Sequence, residues 1–167
     1  AALAALNAAV ITLERDRGSV TVCFLDLDLF KRVNDRFGHH VGDDALKFLV
    51  EQVHYEMRAS DVLARLGGEE FLLVLPGAHL KDGLAVAERI RARVELMGVS
   101  ISGHPVALTV SIGVAANTNK MKLADEIIDA ADQALYQAKN RGRNRVEAMN
   151  IVANQAIKPK LTEGLSP

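Results

Sequence analysis

The run SVTVCFLDLD at residues 19–28 is β-branched and almost continuously apolar. Such a run suits a strand buried on both faces, so packing layers are needed above and below its sheet. The rest of the chain supplies them. GDDALKFLVEQVHYEMR (42–58) places Leu46, Leu49, Val50 and Val53 on one stripe, which predicts a helix. Leu80 to Met97, rich in Ala, Arg and Glu, predicts a second. Leu123 to Arg141 predicts a third, with Leu123, Ile127, Ile128, Ala131, Leu135 and Ala138 as its apolar stripe. Between the first two, ASDVLARLGGEEFLLVLP (59–76) reads as two strands around a Gly-Gly turn. Pro105 opens VALTVSIGVA, a further strand, and Arg145 to Ala148 predicts a short last one. Strands alternating with helices around a central hairpin predict one partly antiparallel sheet with helices on it.

With 167 residues and no linker rich in Gly, Ser or Pro, the chain is expected to form one domain over 1–149. The stretch 150–167 shows no period and is expected to be a loosely held tail. A formal charge of -1 leaves no basic field for a nucleic-acid polymer. Hydrophobic residues at 49% and charged residues at 25% exclude disorder for most of the chain. No apolar run approaches the ~20 residues of a membrane span, so no membrane contact is expected from this segment. Cys23 is the single cysteine, which excludes an internal disulfide and a multi-Cys zinc site. Its place inside the apolar run predicts a core filler, and a reducing cytoplasm is the expected location. Residues 1–15 have helical composition without an N-cap, which predicts the continuation of something longer.

Three breaks in the apolar pattern carry the chemistry. Asp26 and Asp28 interrupt CFLDLDLF, and a period of two turns both carboxylates to one side of the sheet. Paired anions there call for a cation, and hard oxygen donors suit Mg²⁺ better than zinc. Acids at a strand end that reach water or cap the next helix give the same spacing. Gly67-Gly68-Glu69-Glu70-Phe71 forms the second break: a tight turn, then glutamates pointing to opposite faces. An acidic surface hairpin looks similar, but a hairpin beside the first strand brings Glu69 to the cation of Asp26. In the third, Lys139 and Arg143 lie four apart at the end of the last long helix. They either complement the helix dipole or neutralise a triphosphate.

Four blocks in order, LDLDLFKRVNDRFGHHVGDDAL, RLGGEEF, VSIGVA and ADQALYQAKNRGRNRV, resemble the signature of the GGDEF family of diguanylate cyclases over roughly residues 20–148. The resemblance implies an α+β, palm-like fold of the ferredoxin-like, nucleotide-cyclase-like kind. In it a mostly antiparallel central sheet is wrapped by helices, and the hairpin carries GGEEF. It also implies an enzyme that condenses two GTP into cyclic di-GMP with release of two pyrophosphates, at the interface of a twofold homodimer. By that likeness Asp26, Glu69 and the backbone carbonyl of Leu27 hold Mg²⁺, or Mn²⁺, and Glu70 is the second acid. Lys31 matches the phosphate-contacting lysine, beside backbone amides at Leu29 and Phe30. Lys139 and Arg143 match the cationic pair at the γ-phosphate, and Asn34 and Asp43 the guanine-reading pair. Chemistry agrees with that last assignment, because guanine presents N1–H and N2–H₂ as adjacent donors and adenine does not. His39, in the F-G-H-x-x-G-D stretch, either borders the nucleotide or orders its loop.

Arg58-Ala-Ser-Asp61 stands five residues before Gly67 and matches the family's R-x-x-D inhibitory site for product, with Arg89 completing it from the next helix. R-x-x-D strings are common at helix ends, so it is the position relative to the hairpin that points to a site. Asp28 matches no family role and is expected to be structural, and Arg65 is unassigned. The family's L-T-G-L-x-N-R segment has no counterpart in AALAALN, so one wall of the nucleotide pocket is expected to be missing. A sensory or regulatory domain is expected to precede the domain. The alternative function is a non-catalytic receptor for GTP or cyclic di-GMP; intact GGEEF, Asp26, Lys31, Asn34, Asp43, Lys139 and Arg143 argue for the enzyme.

Overall fold

All eight residues of β1 (Val20–Leu27) are buried. The strand lies at the centre of a five-stranded sheet of order β2-β3-β1-β4-β5. The structure, a computed structural model, describes residues 18–117 and 124–149, together with Ala4, Asn7, Ala8 and Ile11. Those four positions are helical; the rest of the helix expected over 1–15, and the tail expected over 150–167, lie outside the described residues. After β1 come α1 (Phe30–Phe37), α2 (His39–Glu56), the hairpin β2 (Val62–Gly67) and β3 (Glu70–Pro76), and α3 (Leu80–Met97). β4 (Val110–Ala116), α4 (Ala124–Asn140) and β5 (Val146–Ala148) follow. β1 pairs antiparallel with β3 and β4, and β2 pairs antiparallel with β3. Only β5 runs parallel to its neighbour, β4. This is the mostly antiparallel, palm-like α+β architecture expected from the sequence.

Alternation along β1 sorts its side chains into two cores. Cys23, Leu25 and Leu27 pack with Leu46, Leu49 and Val53 of α2 and with Ala87, Ile90 and Val94 of α3. Val20, Val22 and Phe24 pack with Ile127, Ala131 and Leu135 of α4. Asp26 continues this second series, so it faces the helix that ends in Lys139. That helix lies unusually close to the sheet. A Cβ at Gly113 of β4 would stand 2.1 Å from the carbonyl oxygen of Ala131 and 2.2 Å from the amide nitrogen of Leu135. Only glycine allows this approach, which seats α4 and fixes the height of Lys139 over the strand end. Cys23 is fully buried, and burial pushes its thiol up to about 12. It is the core filler that its surroundings predict.

Two elements have boundaries that differ from expectation. The strand expected to open at Pro105 begins only at Val110. Pro105 has no amide to give a ladder. The residues after it instead form a strap whose Val106 and Leu108 are buried in the core with α3. The first long helix starts at His39, before the predicted Gly42, and ends at Glu56, leaving Arg58 outside it. Among the described residues, no helix is long and apolar enough to cross a membrane.

Candidate active site

Four chain segments meet at one edge of the sheet: the end of β1, the turn of the β2–β3 hairpin, the start of α1 and the end of α4. Asp26 is their meeting point. It is 5% exposed, and its Oδ2 accepts a hydrogen bond from Lys139 Nζ at 2.6 Å. The register places Glu70 directly across from Asp26. Glu69 occupies the two-residue turn with Gly68, which lies at φ +50°. Its carbonyl accepts a long bond, 3.4 Å, from the Leu27 amide. Burial raises the pKa of Asp26; Lys139 works against that rise, while the charges of Glu69 and then Glu70 add to it. One half-buried ammonium thus pairs with a buried carboxylate on which two further acids act. Such an arrangement is short of positive charge.

Asp28 has the same charge and a different fate. Oδ1 accepts from Ser111 Oγ at 2.6 Å, and Oδ2 from Thr109 Oγ1 at 2.8 Å and the Asn144 amide at 3.0 Å. Ser111 is also the cross-strand neighbour of Asp26, so both carboxylates do lie on one side of the sheet. Both are buried, so neither turns into water. One is held by an ion pair and the other by neutral donors.

Leu29 follows in the left-handed region at φ 55°, ψ 31°, an uncommon place for a bulky side chain. This sharp turn starts α1 directly after β1. The start of α1, with the amides of Phe30 and Lys31 ahead of its first intrahelical bond (Arg32 amide to Leu29 carbonyl, 2.9 Å), therefore follows the acidic end of β1 directly, and Lys31 is exposed there. Further along α1, Asn34 packs against α2 at Gly42, where an added Cβ would sit 1.8 Å from Asn34 Oδ1. That oxygen is buried without a hydrogen-bond partner. Asp43, the next residue, is exposed on the wall of an open groove shared with Lys47, Arg65 and Phe71. Asn34 and Asp43 are thus brought together by one helix–helix contact. His39 is exposed in the first turn of α2.

Arg58, Asp61, Arg89 and Arg143 are the remaining predicted residues. Asp61 Oδ2 accepts from the Arg58 amide at 2.7 Å, closing the R-x-x-D stretch into a turn that leaves the Arg58 side chain exposed. Arg89 Nε donates to Glu56 at 2.6 Å, which brings α3 to within two residues of Arg58. Arg143 is exposed in the turn after α4. Sequence reasoning missed Arg65, whose Nε and Nη2 both donate to the Gly68 carbonyl, at 2.9 and 2.7 Å, and so brace the hairpin turn. It also missed the donors around Asp28, since Thr109 and Ser111 are far from it in sequence. Gly42 was legible only as part of F-G-H-x-x-G-D. Among the described residues, no three His, Cys, Asp or Glu side chains converge as a ready metal site.

The family described as diguanylate cyclase, GGDEF domain, matches residues 2–145. The chain belongs to that family. This GGDEF domain is 39% identical over 142 residues to diguanylate cyclase DgcP of Pseudomonas aeruginosa, covering 85% of this chain and 21% of that protein. It is 43% identical over 129 residues to diguanylate cyclase DosC of Escherichia coli, covering 77% of this chain and 28% of that protein. The domain thus spans less than a third of either curated relative. Among solved structures, the active GGEEF domain of a diguanylate cyclase from Vibrio cholerae superposes with TM-score 0.84 at 32% identity, over 89% of this chain and 94% of that one. The coiled coil and GGDEF domain of DgcB from Caulobacter crescentus, in complex with cyclic di-GMP, gives TM-score 0.80 at 29% identity, over 86% and 76% of the two chains.

Proposed function

We propose that this GGDEF domain is one half-site of a diguanylate cyclase. It binds one GTP, and two such domains facing each other across a twofold axis join two GTP into cyclic di-GMP. Each 3′-oxygen forms a bond to the other nucleotide's α-phosphorus as the bond to pyrophosphate breaks, and the hydroxyl proton is lost. The observation that carries this reading is the charge-deficient group of Asp26, Glu69 and Glu70 at the end of β1, immediately before the start of α1. Identity of 39% and 43% to two diguanylate cyclases supports it.

The donor set fits a hard divalent cation: Asp26, Glu69 and the Leu27 carbonyl offer only oxygen, and Lys139 pairs with Asp26. Mg²⁺ or Mn²⁺ bound there offsets phosphate charge and acidifies the attacking hydroxyl. Glu70, across from Asp26, is the second acid of the cluster. Lys31, Lys139 and Arg143 neutralise the triphosphate, with Lys139 exchanging its carboxylate partner for a phosphate oxygen. Asn34, whose Oδ1 lacks a partner, and Asp43 both offer acceptors to guanine's adjacent donors, and His39 borders the base. Arg58, Asp61 and Arg89 form an inhibitory site for product, joined through Glu56. A regulatory segment outside this domain brings two half-sites together and so raises their effective concentration for one another.

The test is incubation of the domain at high concentration with GTP and Mg²⁺, with Glu69→Ala as control. Cyclic di-GMP made by the parent and not by the variant is the expected result. No product from the parent, with binding of cyclic di-GMP that Arg58→Ala abolishes, would make the domain a receptor.

A further inference from the structure

The turn after α4 passes through Gly142, Arg143 and Asn144 at φ 117°, 63° and 44°. Arginine seldom adopts this left-handed conformation, and such a turn persists only where its surroundings hold it. Three bonds do so here. The Arg143 amide donates to the Ala138 carbonyl at 3.0 Å. The Asn144 amide donates to Asp28 Oδ2 at 3.0 Å, and Asn144 Oδ1 accepts from Arg91 Nη1 at 2.8 Å. Arg91 is itself anchored to Glu88 and Glu95 on α3, at 2.7 and 2.6 Å. Asp28 is in turn fixed by Thr109 and Ser111.

We propose that Asp28 is a positioning residue for the nucleotide's triphosphate: by holding the Asn144 amide it fixes where the Arg143 guanidinium stands relative to Asp26. Arg143 needs such help. Its side chain is exposed, so only its backbone can be aimed, and the backbone is what the network grips. Asp28 lies two residues from Asp26 and reaches the Arg143–Asn144 turn through one hydrogen bond. A single buried carboxylate thereby sets the spacing between the cluster at the end of β1 and the cationic end of α4. Arg91 plays the matching part from α3, gripping the Asn144 side chain.

This inference rests on the diguanylate cyclase reading, and the experiment separates the two. Asp28→Asn keeps the shape but turns a donor toward donors. A folded variant is expected to raise both the KM for GTP and the Kd of a fluorescent GTP analogue about 10-fold, with kcat within about threefold of the parent. Asn144→Gly keeps the left-handed turn and the amide that Asp28 grips but loses the Arg91 contact, and is expected to raise KM and Kd by less than Asp28→Asn does, with kcat within about threefold of the parent. Should Asp28→Asn fail to fold by circular dichroism, Asn144→Val, which disfavours the turn while leaving Asp28 its hydroxyl donors, carries the same expectation. A folded Asp28→Asn with parental KM and Kd, or a loss confined to kcat, overturns the proposal. A parent that binds the analogue without turnover sinks the cyclase reading, while the Kd ratio still decides this one. A parent that neither binds nor reacts overturns both.

Discussion

Asp26 and Asp28 are two residues apart, equally buried at 5% and 6%, and identical in chemistry, yet the fold treats them in opposite ways. Asp28 receives three donors from fixed groups: Ser111 on β4, Thr109 just before it, and the turn after α4. Asp26 receives one, from the end of a lysine side chain that is 32% exposed and able to leave, while two glutamates press on it. A carboxylate fully served by its own protein is part of the scaffold. One that is under-served is open to an incoming cation.

The contrast predicts opposite outcomes for the same deletion. The largest effect should be on turnover: Asp26→Asn is expected to lower cyclic di-GMP synthesis by about 10³-fold, measured under saturating GTP and Mg²⁺. Next in size is the stability of Asp28→Ala, which strands two hydroxyls and an amide. A loss of about 3 kcal/mol in urea unfolding is expected, and a loss below about 1 would place Asp28 outside the scaffold.

Asp26→Asn should move stability the other way. Its pKa is raised above the ordinary 3.8 by burial. The native state therefore holds the proton more tightly than the unfolded chain does. The stability this confers is full below 3.8 and is lost as pH rises through the folded value, leaving a buried anion at neutral pH. The variant should melt a few degrees above the parent at pH 7 and lose that lead as pH falls toward 4, by calorimetry in the absence of divalent cation. Added Mg²⁺ should raise the melting temperature of the parent and leave the variant where it was. The smallest effect concerns Gly42→Ala, whose methyl group meets Asn34 Oδ1. Displacing that side chain should raise the KM for GTP about 10-fold with little change in melting temperature; an unchanged KM would falsify a nucleotide-reading role for Asn34.

How much of this was legible differs between the same two residues. The pattern of β1, the hairpin and the three long helices follows from periodicity, because each apolar stripe has one face to bury. Resemblance named Asp26, and the register confirms only that it shares an edge with Glu70. Asp28 could be read in sequence as half of a cation-holding pair or as a structural acid, and the partners that make it structural lie 81, 83 and 116 residues away. Long-range satisfaction of a polar group leaves no local signal. The strap at Pro105 was misjudged for a related reason. Val106 and Leu108 alternate like a strand, and alternation does not distinguish a pleated edge from a covering loop. Arg65 was silent because its partner is a backbone carbonyl, which any residue provides.

Cys23 gives the molecule a built-in clock. The thiol sits at the middle of the central strand with no exposed surface, and burial holds it at about 12, so it cannot be alkylated while the sheet is intact. Reagent reaches it through openings that uncover the face of β1 packed under α2 and α3. The rate of labelling therefore counts those openings directly, and no foreign probe has to be introduced to time them.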